Sequence, residues 1–209
     1  MSLLSAYNIK KKKSKQKKPK LEEADYLLAE IEKIAVSPDT AKIWMEDPCL
    51  PPESIIETED GSRRIAEIQI GTKVLTHQGY HKVSKVYCRH FNGKLVSLTP
   101  YYSNKPLLLT PGHPVMAVKI TFCQLHYKQY KVEWIPAGQL EKGYAVALCG
   151  VPKVEETPPY AFQINGRLFA SLKNVERIPY NGLVYNLAVN PAETYVAEGI
   201  IVHNCGRPC

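Results

Sequence analysis

The residues with the most distinctive chemistry lie near the end of the sequence, where His203, Asn204 and Cys205 follow one another. The side-chain amide of an asparagine can attack the backbone carbonyl of the same residue, which closes a succinimide ring and breaks the following peptide bond. A neighbouring histidine can assist as a general acid, and a cysteine after the asparagine supplies a thiol nucleophile. Taken singly, His203-Asn204 is more typical of a strand that merely ends in polar residues.

Two further elements offer related chemistry. Thr110 and His113 form a T-x-x-H pattern in a turn between apolar runs, where a histidine can donate to a nearby backbone group and the threonine can brace it. Cys49 stands where the sequence changes to short β-type runs, and its thiol can attack the Pro48 carbonyl to form a thioester. Taken singly, the first pattern is more typical of a surface turn and Cys49 of a small buried core residue.

Together the three elements resemble the intein branch of the Hint family of protein-splicing domains. The resemblance covers residues 49–205, about three-quarters of the chain. It is carried by an opening block 49–56, the block 110–113, a penultimate block 184–199 and the closing tripeptide 203–205. The resemblance implies an all-β, horseshoe-like fold with pseudo-two-fold symmetry.

The resemblance also implies that the chain processes itself once, in an autocatalytic reaction, and is not an enzyme that acts repeatedly on a substrate. Cys49 attacks the Pro48 carbonyl, and Cys205 then takes over the acyl group. Cyclisation of Asn204 releases the domain and leaves the flanks joined. No cofactor, metal or partner is required, since each step exchanges one acyl bond for another. The implied site residues are Cys49, Thr110, His113, Asn186, Glu193, His203, Asn204 and Cys205. The chain has no room for a homing endonuclease between its blocks, which predicts a mini-intein.

Three positions depart from the family's pattern. Asn186 stands where aspartate is usual, and its amide cannot take up a proton. Glu193 stands where histidine is common, and we hypothesise that its carboxyl group supplies part of the missing acid–base function. Pro48 precedes the first nucleophile, and its fixed φ restricts how its carbonyl is presented. These departures predict slow splicing or uncoupled cleavage at Asn204.

The elements that position these residues are predicted to be short strands separated by Gly, Pro and Asn turns. The predicted strands are 54–57, 73–76, 82–87, 94–99, 107–110, 115–120, 144–148, 183–189, 194–197 and 200–202. Brief helical turns are predicted at 64–68 and 137–140. One pattern, hydrophobic-x-x-Gly-x-x-Val, occurs at 68–74 and again at 140–146. It favours a duplicated β fold in which Gly71 and Gly143 end a turn at positive φ.

Composition is that of a soluble globular domain with appendages, since 44% of the 209 residues are hydrophobic and 22% charged. Eight lysines between Lys10 and Lys20 account for more than the whole net charge of +7. The nearly neutral remainder argues against a nucleic-acid-binding face on the main domain. The six cysteines are too sparse for a disulfide scaffold, and none of them forms a C-x-x-C pair, which disfavours a zinc site. This use of cysteine favours a cytoplasmic location. No apolar run reaches the roughly 20 residues that cross a bilayer, so no membrane contact is expected.

Four segments are expected along the chain. Residues 1–20 form a disordered Lys-rich tail, residues 21–48 a short helical segment of the N-terminal flank, residues 49–204 the Hint domain, and residues 205–209 the start of the C-terminal flank. The tail allows weak, sequence-independent contact with nucleic acid, while the identity of the host protein stays open.

Two other interpretations stay open. The first is a Hint domain that only cleaves, of which a bacterial intein-like domain is the harder form to exclude. The second is a non-catalytic β domain whose basic tail binds nucleic acid.

Overall fold

The strands of the protein follow the all-β prediction. The computed structural model describes residues 48–103, 105–120, 130–149 and 160–204. These residues all fall within one compact unit, Ile34–Cys209. The predicted basic tail, the predicted helical segment apart from Pro48, and the flank 205–209 with Cys205 lie outside the described residues.

The described part of the chain contains twelve strands and two 3₁₀ turns. The strands are β1 Ile55–Thr58, β2 Gly61–Arg64, β3 Lys73–Thr76, β4 Gly79–Pro100, β5 Leu107–Leu109, β6 Pro114–Lys119, β7 Glu133–Pro136, β8 Tyr144–Ala147, β9 Ala161–Ile164, β10 Arg167–Val189, β11 Thr194–Ala197 and β12 Ile200–His203. The 3₁₀ turns are Ile65–Glu67 and Ala137–Gln139. Within the described ranges no helix is long and apolar enough to cross a membrane.

The two longest strands, β4 and β10, pair with each other over most of their lengths. The antiparallel register runs from Leu172 opposite Pro100 to Val189 opposite Val83. The predicted strands covered only parts of this ribbon, because its middle alternates between exposed and half-buried residues and lacks a strong apolar pattern. Backbone pairing between the two strands, rather than burial of side chains, continues the ribbon through that stretch.

The order of the strands brings the beginning and the end of the domain together. In the sheet the order is β5-β4-β3-β1-β11-β12-β6-β8-β10-β9, with β2 on β1, β7 on β6 and a further pairing between β4 and β10. Strand β1 lies beside β11, with Ile56 opposite Ala197, and β12 lies beside β6, with Val202 opposite Val115. The two ends of the predicted domain therefore meet in neighbouring strands.

The repeated sequence pattern has the same local structure in both copies. Each copy runs from a 3₁₀ turn through a glycine into a strand, and φ is +91° at Gly71 and +105° at Gly143. A Cβ atom at either position would meet no other atom within 4 Å, so the backbone angle alone requires glycine there. Ile68 and Leu140, the first residues of the two patterns, are both buried. The predicted positive φ at both glycines is confirmed.

Three strands were not predicted from the sequence: β2, β7 and β9. In β2 all four residues are exposed and three of them are polar or charged, so that no apolar alternation marks it. It forms because Gly61–Arg64 pairs along the whole of β1. Such edge strands are specified by the neighbouring strand and the turn between them rather than by their own composition.

Candidate functional site

The first predicted nucleophile, Cys49, is fully buried, and its backbone contacts Thr110. The backbone N–H of Cys49 donates to Thr110 Oγ1 at 2.8 Å. The backbone N–H of Thr110 donates in turn to the Cys49 carbonyl oxygen at 2.9 Å, and the Thr110 hydroxyl lies 3.3 Å from that oxygen. The N–H that Thr110 accepts belongs to the Pro48–Cys49 peptide, so Thr110 contacts the very bond that Cys49 is predicted to break.

Neighbouring elements fix this contact on both sides. Leu50 exchanges two backbone hydrogen bonds with Tyr185 of β10, of 2.8 and 2.7 Å, which seat the chain beside that strand. Thr110 follows β5, and the N–H of His113 donates to the Thr110 carbonyl at 3.0 Å to close the turn. The T-x-x-H pattern is therefore a buried turn against Cys49, not a surface turn.

The imidazole of His113 lies between the two predicted junctions. It is fully buried, and neither ring nitrogen has a hydrogen-bond partner of ordinary geometry among the described residues. The pKa of His113 is lowered to about 3, mainly by burial and in smaller part by repulsion from His203, although the nearby backbone groups of Cys49 and His203 favour the protonated form. His113 is consequently neutral near pH 7 and is able to accept or donate a proton at the site.

The predicted C-terminal junction is formed by the end of β12. His203 Nδ1 lies 2.5 Å from the carbonyl oxygen of Asn204, the carbonyl that the Asn204 side chain would attack. The Asn204 N–H donates to the Glu193 carbonyl at 2.8 Å, and Asn204 Nδ2 donates to the Val189 carbonyl at 3.2 Å. Asn204 is buried, and its Oδ1 has no hydrogen-bond partner within the described residues. The residue that would cyclise is thus held in place at its backbone and at its side chain.

The imidazole of His203 contacts the Asn204 carbonyl, Glu193 and Trp134. Burial lowers its pKa, whereas the bond to the Asn204 carbonyl and the charge of Glu193 raise it. Glu193 Oε2 lies 4.0 Å from His203 Nε2, but the Glu193 side chain is 65% exposed. The Trp134 ring meets the His203 ring edge-on, with the centroids 5.0 Å apart. Glu193 is therefore brought to the junction, although solvent reaches most of its side chain.

Asn186 is buried in β10, and its amide oxygen and amide nitrogen differ in their hydrogen bonding. Its Oδ1 accepts the Leu187 N–H at 2.8 Å and the Tyr195 hydroxyl at 3.1 Å. Its Nδ2 has no partner among the described residues. The Tyr195 ring also meets the His113 ring edge-on, with centroids 6.3 Å apart, so Tyr195 joins Asn186 to His113.

Unsatisfied polar atoms concentrate at this site. Six buried side-chain nitrogen or oxygen atoms of the described residues lack a hydrogen bond, and four of them belong to His113, Asn186 and Asn204. Each such atom costs roughly 1–3 kcal/mol of folding free energy, and clusters of them are typical of functional sites. In the described ranges no group of three or more His, Cys, Asp or Glu residues could hold a metal ion.

The structure brings most of the predicted residues together, but the sequence did not identify the neighbouring residues that contact them. Cys49, Thr110 and His113 meet at one junction and His203, Asn204 and Glu193 at the other, while Cys205 lies outside the described residues. Tyr195, Trp134 and Thr194 were not recognised as members of the site. They are spaced like ordinary strand residues, so only the register between strands assigns them to it.

Comparison with known proteins gives partial matches in sequence. No family model matches the chain. An uncharacterized protein of Methanocaldococcus jannaschii is 34% identical over 117 residues, which cover 46% of this chain and 15% of that protein. The ATP-dependent DNA helicase Hel308 of Thermococcus kodakarensis is 29% identical over 104 residues, which cover 45% of this chain and 9% of the helicase. The chain thus spans less than a sixth of either relative.

Several inteins are among the solved structures that resemble the chain. The DnaB intein of Synechocystis sp. PCC 6803 has a TM-score of 0.57 at 15% identity, covering 76% of this chain and 99% of that one. The KlbA intein precursor of Methanococcus jannaschii has a TM-score of 0.55 at 20% identity, covering 76% and 92%. The gp41-1 intein has a TM-score of 0.52 at 18% identity, covering 76% and 100%. The chain therefore has the all-β Hint fold of inteins.

Proposed function

We propose that this chain is a self-splicing domain that excises residues 49–204 and joins the flanking segments. The observation that carries the proposal is that the two ends of the predicted domain meet at the buried His113. The backbone of Cys49 is hydrogen-bonded to Thr110, in the same turn as His113, and β12, which ends at His203, pairs with β6, which begins directly after His113. A domain that must couple two peptide-bond cleavages needs its two ends at one site. The intein fold of the chain supports the same conclusion.

The first step is an acyl shift at Cys49. Its Sγ attacks the Pro48 carbonyl carbon, the bond from that carbon to the Cys49 nitrogen breaks, and the thiol proton ends on the freed amine. Thr110 is suited to hold the peptide during this exchange, because its hydroxyl accepts the N–H of the bond at 2.8 Å. His113 is suited to carry the proton, since burial keeps it neutral.

The remaining steps join the flanks and release the domain. The Cys205 thiol attacks the thioester and displaces the Cys49 thiol, which takes up the proton. Asn204 Nδ2 then attacks the Asn204 carbonyl carbon, the bond to the Cys205 nitrogen breaks, and the proton passes to that nitrogen as the succinimide closes. The contact of His203 Nδ1 with the carbonyl oxygen supports a role in polarising it. A final shift of the acyl group from the Cys205 sulfur to its nitrogen leaves an ordinary peptide bond.

A cleavage-only domain is the second candidate. A bacterial intein-like domain from Clostridium thermocellum has a TM-score of 0.53 at 19% identity, covering 75% of this chain and 98% of that one. Asn186 also favours this candidate, because an amide cannot pass a proton between the two cysteines as a carboxylate can. Contact of the Lys10–Lys20 tail with nucleic acid stays a prediction, as does a cytoplasmic location.

Intact mass spectrometry of the chain, extended by a tag after Cys209 and incubated with reductant, tests the proposal. We expect a ligated product of residues 1–48 joined to Cys205 and the tag, beside a free fragment 49–204. Release of both flanks without ligation would establish the cleavage-only function instead. An unchanged precursor that matches a control with both Cys49→Ala and Asn204→Ala would contradict both.

A further inference from the structure

A histidine outside the predicted site contacts the strand that carries the C-terminal junction. His77 lies in the turn between β3 and β4, and its Nδ1 is 2.7 Å from Thr194 Oγ1 on β11. The His77 N–H also faces that hydroxyl at 3.4 Å. Thr194 is buried, so its hydroxyl depends on this histidine to satisfy it. The contact joins two segments more than a hundred residues apart.

The turn that presents His77 is itself braced. Thr76 Oγ1 donates to the Gly79 carbonyl at 2.7 Å and accepts the Gln78 N–H at 3.1 Å. The guanidinium of Arg167 donates to the His77 carbonyl at 3.2 Å. The backbone around His77 is thus fixed from both sides, and its ring is presented to β11 with little freedom to move.

The register of β11 and β12 connects Thr194 to the junction. Thr194 is directly opposite His203 in the antiparallel pair, and opposite residues project from the same face of a sheet with their Cβ atoms about 5 Å apart. The residue before Thr194 is Glu193, whose carbonyl accepts the Asn204 N–H at 2.8 Å. Whatever holds Thr194 in place therefore also limits the movement of His203 and Asn204.

The charges around the two rings favour a neutral His77. Burial lowers its pKa to about 4, and Arg167, His203 and His81 act in the same direction. His203 is faced by the Glu193 carboxylate, the Asn204 carbonyl and the edge of Trp134. Near pH 7 His77 can therefore keep its hydrogen bond to Thr194 without placing a positive charge beside His203.

We propose that His77 is a positioning residue for cyclisation of Asn204. Through Thr194 it holds the face of β11 against which the His203 ring is oriented, so that His203 Nδ1 stays on the Asn204 carbonyl oxygen. The inference rests on the proposed self-processing function, and it assigns His77 to one of the two cleavages only. It therefore predicts that the acyl shift at Cys49 does not depend on this contact.

Two pairs of variants test the assignment. His77→Leu removes the hydrogen bond but keeps much of the volume, and His77→Asn retains an amide group near the position of Nδ1. Thr194→Val removes the hydroxyl, and Thr194→Ser retains it. His90→Ala is the matched control, because His90 is exposed on β4 beyond the same turn. C-terminal release is measured in a Cys49→Ala background with a tag after Cys209, and thiol-induced N-terminal release in the background of native Cys49.

We expect His77→Leu and Thr194→Val to slow C-terminal release by about tenfold to a hundredfold, because a small displacement of a reacting group has effects of that size. N-terminal release stays within about twofold, and His77→Asn and Thr194→Ser recover most of the rate. C-terminal release at the parental rate in His77→Leu would overturn the inference. An equal loss in both steps would also overturn it, since that would indicate a general structural role.

A spectroscopic measurement keeps the inference separate from the proposed function. If the parental chain releases neither flank, the proposed function fails, and the His203 ring is then followed by nitrogen NMR in the intact chain. We expect His77→Leu to decrease the fraction of His203 that is protonated at Nδ1, because the ring loses its fixed orientation toward the Asn204 carbonyl. An unchanged His203 spectrum in His77→Leu would overturn the positioning role.

Discussion

The two junctions of this domain are built in different ways. At the N-terminal junction, one threonine contacts both backbone groups of a fully buried cysteine. At the C-terminal junction, Asn204 is held by carbonyl groups of two other residues, and the side chain that contacts its own carbonyl, that of His203, is 20% exposed. The acid beside that histidine, Glu193, is mostly in solvent.

The difference suggests that the two cleavages respond to different conditions. Burial fixes the geometry at Cys49 and excludes water, so the chemistry there depends on a few short contacts. The C-terminal junction depends on the orientation and protonation of a partly exposed histidine, which salt, pH and distant side chains can influence. Changes at the first junction are therefore expected to be large and specific, and changes at the second graded.

The largest effect is expected from removing the reacting groups themselves. Cys49→Ala should slow N-terminal release by about a thousandfold or more and leave the rate of C-terminal release within a few fold of the parental rate. Asn204→Ala should do the reverse. Mass spectrometry of the two flanks over time measures both rates. Loss of both releases in either variant would mean that the junctions are not independent.

Thr110→Val should give the next largest effect. Valine keeps the shape but lacks the oxygen that accepts the buried Cys49 N–H, so thioester formation should slow by about a hundredfold and the free energy of unfolding should fall by roughly 1–3 kcal/mol. Thiol-induced N-terminal release and urea unfolding measure the two quantities. Thr110→Ser retains the hydroxyl and serves as the control; a serine variant as slow as valine would contradict the argument.

Acid should destabilise the domain through the buried ring between the junctions. The pKa of His113 is about 3 in the folded chain and near 6.5 when unfolded, so between these values the unfolded state binds the proton and the folded state does not. Stability should be unaffected by His113 above about pH 7 and fall by up to about 1.4 kcal/mol per pH unit below pH 6.5. Urea unfolding between pH 4 and 8 measures the slope. His113→Gln cannot bind that proton, and an equal slope in this variant would show that other groups are responsible.

The smallest effect is expected at Glu193. Glu193→Gln removes a charge that raises the pKa of His203, so the pH profile of C-terminal release should move to lower pH. Because the carboxylate is largely solvated, the rate at neutral pH should fall by no more than about fivefold. Release from a Cys49→Ala chain at several pH values measures the shift. A parental profile in Glu193→Gln would show that this carboxyl group supplies no acid–base function.

Several features could be predicted from the sequence because they depend on local chemistry. The glycines at 71 and 143 were predicted to have positive φ from their place after a helical turn, and both do. The short apolar strands 73–76 and 194–197 have the predicted bounds. The chemistry of Cys49 and Asn204 follows from residue type and from the blocks around them. The middle of the β4–β10 ribbon and strand β2 were missed because they have no strong apolar pattern of their own. Strands β7 and β9 were also missed, and their pairing with β6 and β10 specifies them.

The sequence by itself determined the types of the reacting groups, the turns and the all-β character, since these are properties of neighbouring residues. Only the tertiary structure decided which groups meet. Three contacts depend on which strands lie side by side. They are the hydrogen bond from the Cys49 N–H to Thr110, the contacts of Tyr195 with Asn186 and His113, and the contact of His77 with Thr194. The physical reason is that pairing between distant strands is selected by burial and backbone hydrogen bonds over the whole sheet. No short stretch of sequence contains that information.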